Sequence, residues 1–485
     1  MTTREKIAHL YRRFGFGATQ EELDRGEQIG LDGAMHRLLD YRAVDEEFPV
    51  HPYEFSWRSK GEADPGAYNY RSWWAMRMVC GQRPAQEHLT LFWHGHFAVG
   101  DDKVENGPMM LQYLDTLRKH ADGKFVDLLK AVSKDPAMMR YLDLQRSLVG
   151  NPNENFAREV MELFTLGIGN YTESDVKEAA RAFTGWSYVD MFYEFPGPNE
   201  KRLTESMANE RPFSAYCWMP AMHDAKPKTI LGKTDFFDGD SFLEHLASHR
   251  QCVRFICKKL WTFYAYPDPE AEVIENLADE WAKSGGDIKH MLFTIARHKQ
   301  FWSDKCVGAK IKSPADLCVG VARQMGAGPA LMALRGPANE TTPITQQVSN
   351  NLYGLVDRME KSGLSLLYPP NVAGWKGGKA WIGPAQMVER YRYRGIMLYG
   401  NKGAGAGAVH TLAFIKSKNP TDTTGIAKAI AELFDVPLDD TGIKILATVA
   451  DRRGGMKVLD QPNNWAGMLD RSLMVLMAAP EMQMC

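Results

Sequence analysis

The chain has 485 residues, 44% hydrophobic and 24% charged, and its 58 basic residues nearly cancel its 60 acidic ones. That balance excludes a partner held by bulk charge, such as nucleic acid or an anionic membrane. The length exceeds what one hydrophobic core usually serves, so two or three closely packed helical subdomains are expected.

The N-terminus, MTTREKIAHLYRRFGFG, interleaves charges with apolar residues and lacks the apolar run of a secretory signal. No later stretch is long and apolar enough to span a bilayer, so the expectation is a cytoplasmic protein without a membrane span. A mature form from which a signal had been removed would read the same. Ile7 to Leu39 has helical spacing broken at Gly15 and Gly17, with Thr19 as an N-cap for the helix that follows. Residues 45–70 are polar and proline-bearing and read as a surface loop. A helical series runs from Arg71 to Tyr188, with Pro84 at a helix start and breaks at Asp135-Pro136 and Asn151-Pro152.

Residues 191–240 read as an irregular loop or a short hairpin carrying Lys228 to Gly232. Helical periodicity returns from Gly239 to Phe301 and continues with breaks to Leu334. A polar turn cluster at 336–344, a Pro/Gly/Trp loop at 364–384 and a Gly/Ala connector at 400–408 precede a helical tail from Thr424 to Met484. The fold class is mainly α: a multi-helix globular assembly with long irregular loops and at most a minor β hairpin. It divides into an N-terminal helical part (1–190) with a polar site, the 191–240 region, and a C-terminal helical part (241–485). Seven cysteines, an odd number without a CxxC pair, argue against a disulfide framework or a thiolate metal site, and Cys252 and Cys257 read as buried small hydrophobes.

The densest chemistry lies between Glu87 and Glu178. In EHLTLFWHGHF, Glu87, Thr90, Leu91 and His94 share one helix face. His94 and His96 fall about 200° apart on a regular helix, so both reach one ion only if the helix ends or distorts near Gly95. In NPNENFAREVMELFTLG, Glu159 and Glu162 share a face whose apolar neighbours carry them inward. Carboxylates placed there need a compensating cation, either a metal or an arginine such as Arg158 or Arg181. The alternative is an ion-pair network that locks helices together, with Glu162 and Arg158 as an i,i+4 pair. Thr172 and Asp175 form a capping-box pattern with Asp in place of Glu, which capping alone explains. His223-Asp224 lies in a loop, where functional side chains concentrate. No GxSxG elbow, P-loop or dinucleotide fingerprint occurs.

The runs HLYRRFGFG, LTLFWHGHFAV, NPNENFAREVMELFTLGIGNYTESDVKEAARAFTGW, HDAKPKTILGK, YPPNVAGWKGGKAWI and PEMQ resemble, in order and across almost the whole chain, the bacterial domain-of-unknown-function family eighteen hundred. The chain departs from that family at Leu144, where an Asn commonly follows the Tyr-Leu-Asp triplet. The resemblance implies a helical fold. It also implies a partner, because members are often encoded beside a second family that looks like exported sulfatases or phosphatases.

Two functions are expected from these features. The first is a divalent-metal-dependent enzyme (Fe, Mn, Zn or Mg), an oxidoreductase ahead of a hydrolase, with an unspecified small-molecule substrate. His94, His96, Glu159 and Glu162 would bind the metal, and Glu87, His223 and Asp224 would act as catalytic or neighbouring groups. The second is a non-catalytic assembly or binding partner of the co-encoded sulfatase- or phosphatase-like protein. In it the buried charges form a structural ion-pair network, and aromatic loops bearing Trp375 and Trp381 dock the partner.

Overall fold

The computed structural model describes residues 1–46, 48–55, 67–190, 214–335, 346–399, 406–461 and 465–485. Helix starts follow local side-chain chemistry. Thr2 with Glu5 and Thr19 with Glu22 form reciprocal capping boxes at the heads of α1 (Thr3–Phe14) and α2 (Gln20–Leu39). These boxes satisfy amides that a helix start leaves unpaired. Further helices are α3 (Ala67–Cys80), α4 (Pro84–His96), α5 (Gly107–His120), α6 (Glu154–Glu159) and α7 (Glu173–Ala182). Pro84 occupies the first turn of α4, where its missing N–H costs nothing, and Thr172 with Asp175 caps α7 as the sequence predicts.

Two small antiparallel sheets follow. Trp186–Asp190 pairs with Ser214–Trp218, and Lys228–Ile230 with Lys233–Asp235. The second is a tight hairpin turned by Leu231 (φ 49°) and Gly232 (φ 78°), the two positive φ values that a two-residue turn of matching twist requires. The hairpin expected within 191–240 is therefore present at its C-terminal end. Residues 191–213, the turn cluster at 336–344, most of the 400–408 connector and part of the 45–70 loop lie outside the described residues.

The C-terminal part contributes α8 (Arg250–Tyr264), α9 (Pro314–Gln324) and α10 (Gln346–Lys361), among others. One cluster of buried apolar side chains extends from Ile7 to Met482. Within it α3 packs on both α9 and α10, and α1 packs on α4. The N-terminal and C-terminal parts thus share a core. Among the described residues no single helix is long and apolar enough to cross a membrane. The bent pair of α9 and Ala327–Arg335, which turns through 76°, is sufficiently apolar only when the two are taken together. Every residue of α9 is buried in the protein interior. The seven cysteines are all free.

The loop from Leu364 to Trp375 is ordered against this core. Its backbone turns at Leu367 (φ 62°) and Gly374 (φ 77°), and the Gly374 N–H donates to the Asn371 carbonyl at 3.0 Å. Gly374 crosses α4 so closely that a Cβ would lie 2.2 Å from the Gly95 carbonyl oxygen. No side chain fits there, and the positive φ already disfavours one. Gly374→Ala should therefore lower stability by about 2 kcal/mol or more. Thermal melting checks this, and an unchanged midpoint would mean the loop is not held against α4.

Candidate functional site

Of the thirteen residues of α4, all but Gly95 are buried, including Glu87, His88, Thr90, His94 and His96. Polar groups in such a place must be hydrogen-bonded within the protein. Glu87 receives Arg118 Nε at 3.0 Å, Arg77 Nε at 2.7 Å and the Trp74 indole N–H at 2.9 Å. Burial alone would raise its carboxyl pKa, but the two guanidinium groups outweigh that and hold it below the usual range. His94 lies on the same face, its ring 5.6 Å from that of Trp74, so the shared face read from the spacing is present. Glu87 is thus held as an anion by two arginines.

The two histidines of the HGH motif look in different directions. The Nε2 of His94 accepts the Leu367 N–H at 3.1 Å, and its ring meets that of Trp375 edge-on at 5.3 Å. His96 donates from Nε2 to the Phe164 carbonyl at 3.1 Å, while its Nδ1 accepts from Lys259 Nζ at 2.9 Å. A carbonyl only accepts, so the His96 proton sits on Nε2 and the lone pair on Nδ1 faces the lysine. Desolvation pushes His94 down to about 4, and desolvation with the Lys259 charge pushes His96 well below the ordinary imidazole range. Both rings are neutral. The helix ends one residue beyond Gly95, at His96, without turning the two rings toward one point. The Trp375 ring lies 3.6 Å from where a Cβ of Gly95 would stand, an ordinary van der Waals contact.

Glu159 and Glu162 flank a change of helix type, as α6 passes at Val160 into a π-helical turn that ends at Thr165. The Leu166 N–H donates to the Met161 carbonyl at 2.8 Å, and the Thr165 hydroxyl to that of Val160 at 2.6 Å. Turns of this type are rare and frequent at functional sites. Glu162 accepts the Tyr171 hydroxyl. Arg158, expected to pair with Glu162, instead grips Glu173 with two bonds of 2.7 and 2.8 Å. Glu159 is half-buried, and desolvation together with the nearby Glu162 charge raises its carboxyl pKa.

The His223-Asp224 pair belongs to another contact. Arg181 holds Asp224 through Nε at 2.7 Å and Nη2 at 3.2 Å, and this pairing depresses the carboxyl to about 2. His223 Nδ1 donates to the Thr184 carbonyl at 3.0 Å, and the Asp224 N–H donates to the Thr184 hydroxyl at 2.8 Å. The pair docks its loop onto the end of α7 rather than joining His94 or His96.

The residues expected to bind a metal have different neighbours in the structure. Each nitrogen of His96 is engaged, one by an ammonium that would repel a cation, and the acceptor nitrogen of His94 is taken by a backbone amide. Among the described residues no three His, Cys, Asp or Glu side chains are grouped to hold a metal ion.

What the sequence reading missed is Lys259. It sits on α8 between buried Ile256 and half-buried Phe263, three and four places away, so the helix turns it into a largely apolar row. Its ammonium lies 4.8 Å from the Phe255 ring centroid. Desolvation lowers the lysine to about 8. That periodicity was the available signal.

The family model described as "Protein of unknown function (DUF1800)" matches residues 9–484. The chain belongs to that family. No curated protein and no solved structure matches it.

The charge network separates two of the carboxylates. Glu87→Gln leaves Arg77 and Arg118 short of a buried counter-charge and should cost about 3 to 5 kcal/mol. Glu159→Gln removes a half-buried charge that already resists ionising. The native carboxyl pKa is raised, so the native state binds more protons than the unfolded one. The wild type thus loses stability relative to this variant as pH rises through the carboxylate range. Denaturant unfolding at pH 5 and pH 8 checks both, and a Glu87→Gln protein as stable as wild type would remove the structural role.

Proposed function

We propose that this chain is a non-catalytic binding or assembly protein whose buried charges fix helix packing. In this reading the 364–384 loop offers a rigid surface to a protein partner, the co-encoded sulfatase- or phosphatase-like protein that the family resemblance implies. The observation that carries the reading is where the expected chemistry is spent. Glu87, His96 and Asp224, together with Nε2 of His94, direct their polar atoms at partners inside the chain.

The loop adds support. His94 accepts from Leu367, Asp101 donates its N–H to the Leu367 carbonyl at 3.0 Å, and the Tyr368 hydroxyl donates to Asp101 at 2.9 Å. These bonds hold the base of the loop, while Pro370, Asn371, Lys376 and Lys379 stay exposed. A surface ordered before binding loses little entropy on docking.

The test mixes the purified chain with the purified co-encoded protein and measures association by sedimentation velocity. A stoichiometric complex is expected, weakened about tenfold or more by Lys376→Glu with Lys379→Glu at an unchanged melting temperature. No complex at tens of micromolar would overturn the reading. So would stoichiometric divalent metal in the purified chain that is lost in a His94→Ala, His96→Ala variant, an outcome that restores the metal enzyme.

A further inference from the structure

The last residues of the chain run beside residues 310–312. The Lys312 N–H donates to the Gln483 carbonyl at 2.8 Å, and the Cys485 N–H to the Lys310 carbonyl at 2.8 Å. Basic side chains crowd this corner. Arg13 donates to the Cys306 carbonyl, Lys310 to the Phe263 carbonyl at 2.6 Å, and Arg390 to the Lys312 and Trp381 carbonyls at 2.7 and 3.1 Å. Their acceptors are neutral, and among the described residues none of the three forms an ion pair. Lys312 has less still: only 8% exposed, its ammonium has neither a carboxylate nor a hydrogen-bond acceptor among the described residues. The carboxylates whose charges reach it are committed elsewhere. Asp435 pairs with Arg12, while Asp316 turns one oxygen to His88 Nε2 at 2.9 Å and the other to the Ser313 N–H at 2.9 Å.

The lysine lines a small cavity whose wall it shares with Arg12 of α1, Gly17, Asp316 and Gln324 of α9, and Cys485. Gly17 has a φ of 88°, so the backbone itself keeps a side chain out of this space. There is room for about one water-sized body. An ammonium taken out of water is costly unless a counter-charge compensates it, and desolvation pulls this lysine below its ordinary pKa. A water molecule in the cavity would supply a hydrogen bond but no charge.

We propose that this cavity binds one halide-sized monovalent anion, such as chloride, held by the Lys312 ammonium with the Arg12 guanidinium beside it. Phosphate, sulfate and carboxylate ligands need more than the room of one water. Asp316 in the same wall opposes an anion, which places the ion on the side of Lys312 and Arg12. Bound there, it would join the tail of the chain to α1 and α9 and stabilise only the folded state.

The experiment melts the full wild-type chain in sodium chloride, sodium bromide and sodium gluconate at a common ionic strength of about 0.15 M. Gluconate is too large for the cavity. Each halide should raise the midpoint by about 2 °C over gluconate, because a ligand that binds only the native state stabilises it by mass action. Crystals equilibrated with sodium bromide should show anomalous density beside Lys312 Nζ. Equal midpoints in the three salts, or bromide confined to surface positions as an adventitious ion only, overturn the proposal. Lys312→Met removes the charge and keeps an apolar stem, so its midpoint should no longer distinguish halide from gluconate. A halide shift that persists undiminished in this variant also overturns the proposal.

Discussion

A helix buried on every side has to find partners for its polar side chains within the protein, and α4 draws them from six different segments. Glu87 reaches Trp74 and Arg77 on α3 and Arg118 on α5. His88 meets Asp316 on α9 at 2.9 Å. Thr90 turns back on its own Gln86 carbonyl, a local bond that needs no neighbour. His94 takes the 364–375 loop, and His96 takes the π turn and α8. Each bond fixes a segment's distance and rotation against α4, which apolar contact alone does not, because hydrophobic burial is non-directional.

This arrangement explains both what could be read from the amino-acid sequence and what could not. Local determinants were legible: the caps at Thr19 and Thr172, Pro84 at a helix start, the Leu231-Gly232 turn, and the face shared by Glu87 and His94. Each depends on residues within one or two helical turns. The partners of those side chains were not legible. A glutamate on an apolar face needs a cation, but whether that cation is a metal or a pair of arginines depends on Arg77 and Arg118, neither of them on the helix that carries Glu87. The same holds for Arg158, whose choice of Glu173 over Glu162 follows from the chain reversal between α6 and α7 and from Tyr171 occupying Glu162.

The HGH motif shows how one pattern supports two chemistries. Histidines separated by one residue suit a metal where the backbone lets both converge. Here the helix continues through Gly95 to His96, so the rings face different neighbours and each becomes a directional peg. The π turn is the counterpart on the other side. Its shifted bonding leaves carbonyls facing outward, and His96, Lys259 and Gln251 gather on them.

The partners of α4 also lie far apart along the chain. Asp316 and Leu367 are separated from His88 and His94 by 228 and 273 residues. Arg13 in α1 likewise donates to the Cys306 carbonyl and lies 3.7 Å from the sulfur of Cys485. A nascent chain of 300 residues would therefore hold a central helix with an unsatisfied histidine at each end of its buried face. The N-terminal half has no complete structure to settle into before the rest emerges from the ribosome. Native contacts of such high sequence separation slow folding and leave partly folded chains exposed. Assembly of this protein is thus a late event, in which segments made after residue 300 complete a helix made before residue 100.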